Sequence, residues 1–190
     1  NYEQAEQAAR LALQNEPNSA DAHAVLAQIL HETDRLHDAI DAFEATLRLK
    51  PSLIEANSMY GVCLKSVGRL DEARAQFIRT LELAPAALGV YANLADLDKF
   101  TPDNPQLKAM EKIFAEAPDP ASDRYLPLHF AIGKAYDDIG DYEKAFRHFK
   151  TGADLKRAKL SYDEAQTFGF FDSIREVFNA DYFASRPFEG

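Results

Sequence analysis

The chain has 190 residues, 46% hydrophobic and 27% charged, and its 31 acidic side chains outweigh 21 basic ones to give a formal net charge of −10. That balance argues against a nucleic-acid ligand, because neutralising a phosphate backbone takes clustered Lys and Arg. The single cysteine, Cys63, excludes an intrachain disulfide and a Cys-based zinc cluster, and no run nears the ~18 apolar residues a membrane span needs.

Residues 1–16 carry an apolar face at Tyr2, Ala5, Ala9 and Ala12, which align with Leu36, Ala39, Phe43 and Thr46 further on, and Pro17 closes the segment. They read as the second helix of a hairpin, so further repeats upstream are expected. Residues 18–51 form the next unit, with Asn18 and Ser19 as candidate N-caps and Asp34-Arg35 at its turn. The cleanest copy runs from Ile54 to Pro85, where amphipathic patterns over Glu55–Val67 and Asp71–Ala84 meet at Gly68-Arg69. Ser52 and Glu55 have the spacing of a capping box at its start. Tyr60, Gly61 and Leu64 face Ala73, Phe77 and Leu81, and Gly61 with Ala73 allows a close helix approach.

From Leu88 to Ala117 the pattern weakens, and Thr101-Pro102-Asp103-Asn104-Pro105 replaces the short turn. Asn104 is placed to cap, and Pro105 to open, a helix reaching about Glu116. Pro118-Asp119-Pro120 is a rigid link, after which Ser122 or Asp123 opens another copy with Gly133, Tyr136, Gly140, Ala145 and Phe149 at their repeat positions and a last helix continuing to about Lys159. Ser161 with Glu164 is a further capping box, and Phe170, Phe171, Ile174, Val177 and Phe178 trace one face of a C-terminal capping helix. Those aromatics close the open end of the array, or Tyr182, Phe183 and Phe188 dock a following domain.

Prolines 17, 51 and 85 recur every 34 residues, as do Ala5, Ala39 and Ala73, and Phe43 and Phe77 keep the same interval. A helix-turn-helix of that period, with small, aromatic and Pro positions in this order, resembles the tetratricopeptide repeat over about residues 1–157. The resemblance implies an all-α solenoid of helical hairpins over 1–160, with a half-repeat at 1–17, units at about 18–51, 52–85, 86–118 and 122–159, and a capping helix and linker over 161–190. It implies a non-catalytic module that binds a protein or peptide. Tyr91-Ala-Asn-Leu, Phe100-Thr-Pro-Asp-Asn-Pro, Leu128-His-Phe-Ala-Ile-Gly-Lys-Ala-Tyr-Asp-Asp, Ala145-Phe-Arg-His-Phe and Leu155-Lys-Arg also resemble the repeats of bacterial tetratricopeptide-repeat sulfotransferases. In that family a sulfotransferase domain follows in cis, with a Gly-rich loop for its phosphosulfate donor. The alternative is a stand-alone scaffold with no linked enzyme.

Motifs for chemistry are weak. Gly133-Lys134 lacks the upstream glycine of a phosphate loop. His23, His31, His37, His129 and His148 form no ligand-spaced pair, and His23 and His129 share one inter-helix packing position. Asp137 and Asp138 are adjacent, and on a helix they diverge by about 100°. Cys63 lies within a helix as a buried thiol. Neither a cofactor nor a metal is expected, and without a basic stretch preceding an apolar run the location is expected to be cytoplasmic.

What the repeat resemblance implies is a groove lined by the first helices. Its positions map to Asp21, Gln28, His31, Glu32, Glu55, Ser58, Lys65, Asp96, Lys99, Lys134, Asp137 and Asp138. Carboxylates outnumber ammonium groups there, so a peptide of basic or mixed charge is favoured. The Lys and Asn carboxylate clamp of chaperone-tail-binding members is replaced by Ala24 with Gln28, Ser58 with Val62, and Phe130 with Lys134. An acidic chaperone C-terminal peptide is therefore not expected to bind.

Overall fold

The computed structural model describes residues 1–160 and 163–185, which are helical with no strand. The helices are α1 (Tyr2–Asn15), α2 (Ala20–Glu32), α3 (Leu36–Leu49), α4 (Ile54–Ser66), α5 (Leu70–Leu83), α6 (Leu88–Ala95), α7 (Pro105–Ala115), α8 (Leu126–Ile139), α9 (Tyr142–Ala158), α10 (Glu164–Val177) and α11 (Ala180–Ala184), with a 3-10 turn at Asp123–Tyr125 before α8. Residues Asn1–Leu155 form one compact unit and Lys156–Gly190 a second.

Local chemistry sets most helix ends. Ser19 Oγ accepts from the Ala22 N–H at the start of α2, and Asn104 Oδ1 accepts from the N–H groups of Gln106 and Leu107, with Pro105 first in α7 where its missing donor costs nothing. The turns after α2, α4 and α8 each place one residue in the left-handed region: Asp34 at φ 59°, Gly68 at 81° and Gly140 at 87°. An aspartate tolerates that conformation better than most side-chain-bearing residues, which is why the turn without glycine keeps the same geometry.

The capping box read at Ser52 and Glu55 does not form. Helix α4 begins one residue later, with Leu53 at its cap and no side-chain hydrogen bond there. Leu53 is drawn against the apolar core, and the Asn57 amide reaches back to the carbonyls of Leu53 at 2.8 Å and Pro51 at 3.0 Å. Ser161 of the second box lies outside the described residues, and α10 is capped by Asp163, whose Oδ1 accepts from the Gln166 N–H.

Helices α2 and α3 pack as one hairpin and α4 and α5 as the next, with α3 against α4 and α5 against α6. Leu26, Leu30, Phe43, Leu64, Phe77 and Leu94 belong to one buried cluster, and Leu88, Tyr91, Phe100, Met110, Leu128 and Ile132 to another. Helix α6 serves both, since Val90 and Leu94 face the first cluster while Leu88, Tyr91 and Ala95 face the second. In the second unit Phe170, Phe171, Val177 and Phe178 are exposed, and Phe178, Tyr182 and Phe183 form an aromatic group with centroids 4.9 and 5.5 Å apart along the Phe178–Tyr182 and Tyr182–Phe183 edges. Phe188 lies outside the described residues.

Gly61 is where the hairpin is tightest. A Cβ there would stand 2.6 Å from Phe77 Cε1, and one at Gly133 would stand 2.8 Å from the Phe149 ring. Phe77 is completely buried, so its ring has nowhere to yield. Gly61→Ala is expected to destabilise the protein by ~1–3 kcal/mol through overpacking, in spite of alanine's better helix propensity. Urea denaturation measures this, and an unchanged or raised midpoint would show that the ring accommodates the methyl group.

Candidate protein-binding groove

The first helices of successive hairpins carry the residues expected to face a ligand, except Asp96 and Lys99, which fall in the connection after α6 because that helix ends at Ala95. Between α2 and α4 they enclose a cavity of about 230 Å³. Its floor is apolar, built from Ala24, Val25, Phe43, Leu53, Ala56 and Met59, and its rim is polar, with Asp21, Gln28 and Glu55. Val25 is 50% exposed, which leaves an aliphatic surface open to solvent at that rim. Asp21 meets Lys50 at 3.0 Å in a largely exposed pair, a geometry worth little in water. Glu55 has no ion pair among the described residues, so its carboxylate is available.

Further along the charges are more fully engaged. Lys65 Nζ lies 2.5 Å from Asp96 Oδ2 and 3.4 Å from Asn93 Oδ1, linking α4 to the segment after α6. Lys134 donates to Asp138 at 2.5 Å and to the Asp98 carbonyl, and stands 5.4 Å from the centroid of Phe100, while Asp138 accepts from the Phe100 N–H at 2.8 Å. Burial pushes the Asp138 carboxyl up, but Lys134 and the Phe100 N–H outweigh it and hold the group below the usual carboxylate range. Lys134 and Asp138 thus pin the connection between α6 and α7. Lys99, Asp137 and Glu32 are exposed and Ser58 is half-buried. His31 Nδ1 is buried without a hydrogen-bond partner, 3.9 Å from Glu32 Oε1. The expected groove residues therefore divide: Asp21, Gln28 and Glu55 share one cavity, Lys65 pairs with Asp96, and Lys134 with Asp138 serves the fold.

One set of side chains carries no functional signature in the sequence. His23 Nε2 donates to the Pro17 carbonyl at 3.0 Å, Asn57 Nδ2 to Pro51 at 3.0 Å, Tyr91 Oη to Pro85 at 3.1 Å and His129 Nε2 to Pro120 at 3.1 Å. Each ties the first helix of a hairpin to the link before it. In two hairpins the same side chain also meets the residue 19 positions on. Gln76 Nε2 donates to Asn57 Oδ1 at 2.5 Å, and His148 Nδ1 lies 3.3 Å from His129 Nδ1. A carbonyl only accepts, so His129 carries its proton on Nε2 and its bare Nδ1 accepts from the His148 Nδ1–H. His23, Asn57 and Tyr91 recur every 34 residues and His129 follows after 38, but different residue types fill the position.

Cys63 is fully buried, and burial pushes its thiol up to about 11, so it stays protonated at neutral pH and is unsuited to act as a nucleophile. Among the described residues no cluster of three or more His, Cys, Asp or Glu is placed to hold a metal, and no helix is long and apolar enough to cross a membrane.

Segments 20–53 and 126–159 match the family model of the tetratricopeptide repeat. The chain superposes on the crystal structure of MamA with a TM-score of 0.67 at 20% identity, covering 85% of this chain and 92% of that one. MamA from Desulfovibrio magneticus RS-1, from residue 41 to its end, gives 0.64 at 21% identity over 84% and 88% of the two chains. YrrB, described as a tetratricopeptide-repeat protein with an unusual peptide-binding site, gives 0.65 at 18% identity over 83% and 79%. At such identities the likeness is one of fold. No curated protein sequence matches the chain. Segments 20–53 and 126–159 are thus tetratricopeptide-type repeats, and the chain has the all-α solenoid fold that these structures share.

The histidine pair generates a pH dependence. Burial, then His129 and Arg147, lower the His148 pKa from 6.5 to about 4, against the opposing charge of Glu111. Between those values the unfolded chain binds a proton that the folded chain refuses, so stability falls as pH drops from 6.5 toward 4. His148→Gln keeps a donor for His129, as Gln76 does for Asn57, but removes the titration. Its urea midpoint is expected to vary less than wild type over that window, and parallel profiles would refute the assignment.

Proposed function

We propose that the chain is a non-catalytic interaction module that binds a peptide or protein segment in the groove between α2 and α4. The cavity of about 230 Å³, with its apolar floor and a rim bearing Asp21 and the unpaired Glu55, carries this reading. It accommodates an apolar side chain, and the rim favours a neighbouring Lys or Arg, so the ligand is a peptide of basic or mixed charge. Complementary charge there acts mainly on encounter rate and selectivity, with desolvated apolar contact holding the complex.

Fluorescence polarisation with peptides that vary in charge around one aliphatic residue tests the reading. Binding is expected for Lys- or Arg-flanked sequences and not for an acidic chaperone C-terminal peptide. Val25→Glu, at an exposed position that leaves the core alone, should weaken binding at least tenfold, and Glu55→Lys should shift preference toward acidic flanks. Binding that ignores both substitutions would place the ligand elsewhere.

The likeness of residues 91–183 to repeats preceding a sulfotransferase domain supports a second reading, in which this module presents a protein substrate to such a domain in cis. Extending the native reading frame past Gly190 and measuring phosphosulfate-donor binding by the longer protein separates it from a stand-alone scaffold. A downstream Gly-rich loop with donor binding favours the enzyme arm, and further repeats or a stop favour the scaffold.

A further inference from the structure

The paired positions 19 residues apart are filled by Asn57 with Gln76 and by His129 with His148, and each pair closes with a donor on the second helix. In the hairpin of α2 and α3 the corresponding residues are His23 and Ala42, and alanine has no donor to offer. A cavity of about 330 Å³ lies there instead, between α1, α2 and α3, with Leu26, Leu30, Ala42 and Ala45 as its apolar lining. It opens on the opposite face of α2 from the groove, because residues 23, 26 and 30 point away from 21, 25 and 28.

His23 Nε2 is committed to the Pro17 carbonyl, so the neutral ring carries its proton there and leaves Nδ1 as an acceptor with no hydrogen-bond partner among the described residues. Two carboxylates border the same cavity. Asp38 is held by Arg35 at 2.7 Å, whereas Asp41 has no ion pair among the described residues. Arg10, the cation at this rim, is engaged by Glu6 through Nε at 2.9 Å and Nη2 at 2.7 Å.

We propose that this cavity is a second docking site, independent of the groove, that receives an arginine side chain from a partner protein. The aliphatic stem lies on the Leu26, Leu30 and Ala45 surface, and the guanidinium donates to His23 Nδ1 and Asp41, supplying from outside the donor that Gln76 and His148 supply from within their hairpins. Arginine fits better than glutamine because a carboxylate without an ion pair among the described residues lines the same cavity as the acceptor, and better than lysine because a planar fork of donors can serve two acceptors at once.

The probe is N-acetyl-arginine methylamide, titrated while the His23 imidazole nitrogens and Hε1 are followed by NMR. A saturable His23 shift is expected, absent with N-acetyl-norleucine methylamide. Asp41→Asn, at an exposed site, should weaken it at least threefold. Ala42→Gln should abolish it, since the introduced amide donates to His23 as Gln76 does to Asn57, and its own effect on Nδ1 should appear without ligand. No saturable shift in wild type, or a shift undiminished in Asp41→Asn, overturns the proposal, and the exposed variant decides even if Ala42→Gln fails to fold.

Discussion

The close approach of the two helices in each hairpin is the constraint on which the solenoid depends. Phe77 lies against the backbone at Gly61 and Phe149 against Gly133, at distances that exclude a Cβ, and Ala27 and Phe43, both buried in one cluster, keep the same separation along the chain. An aromatic ring seated on a residue with little or no side chain buries a large apolar surface and brings the axes together at once. The position is filled differently where the hairpin diverges. Sixteen residues after Ala95, the same separation, helix α7 carries Glu111, which accepts from the Tyr136 hydroxyl of α8. There the longer connection contributes Phe100 to the core, and Lys134 and Asp138 of α8 hold its backbone in place. The weak sequence pattern of that unit is thus the signature of a core assembled partly from a loop.

Acidic excess is distributed unevenly over this frame. Much of it is spent in local pairs such as Arg69 with Glu72 and Arg147 with Glu143, three or four residues apart on one helix, which lend solubility and little stability. Other pairs cross from one element to another, as Arg74 with Asp98 at 2.5 Å and Lys65 with Asp96 do, and these tie successive units. What distinguishes the two candidate docking places is a carboxylate left without such a partner among the described residues beside an apolar floor, Glu55 in one and Asp41 in the other. A charge with no internal partner is free to select an external one.

Much of the fold was legible because its period is fixed and its punctuation is chemical. The pattern over Glu55–Val67 lies within one residue of α4, and the proline, glycine and aspartate signals fall at the observed turns. The capping box at Ser52 misled because spacing alone ignores where the core pulls the neighbouring Leu53. The candidate site was less legible. Asp21 with Lys50 joins the two ends of one hairpin, 29 residues apart, and Lys65 with Asp96 joins successive units, 31 apart, so neither pairing follows from any one helix face. The proline-carbonyl contacts stayed hidden because His23, Asn57, Tyr91 and His129 share only the ability to donate a hydrogen bond, which no count of apolar periodicity detects.

Burial explains why one hairpin dispenses with the partner that others keep. His129 is 3% exposed, and an imidazole acceptor left empty at that depth costs the full loss of its hydration, so His148 must face it. Asn57 is buried to the same degree, and Gln76 meets the same need. His23 lies half-buried beside an open cavity, where water satisfies Nδ1 at little cost. Alanine at position 42 is therefore tolerated without an internal substitute, and the cavity beside it presents a fixed tautomer, an oriented acceptor and an unpaired carboxylate. Those three features are set by the fold before any ligand arrives, so a guanidinium entering the cavity displaces water without requiring the hairpin to rearrange.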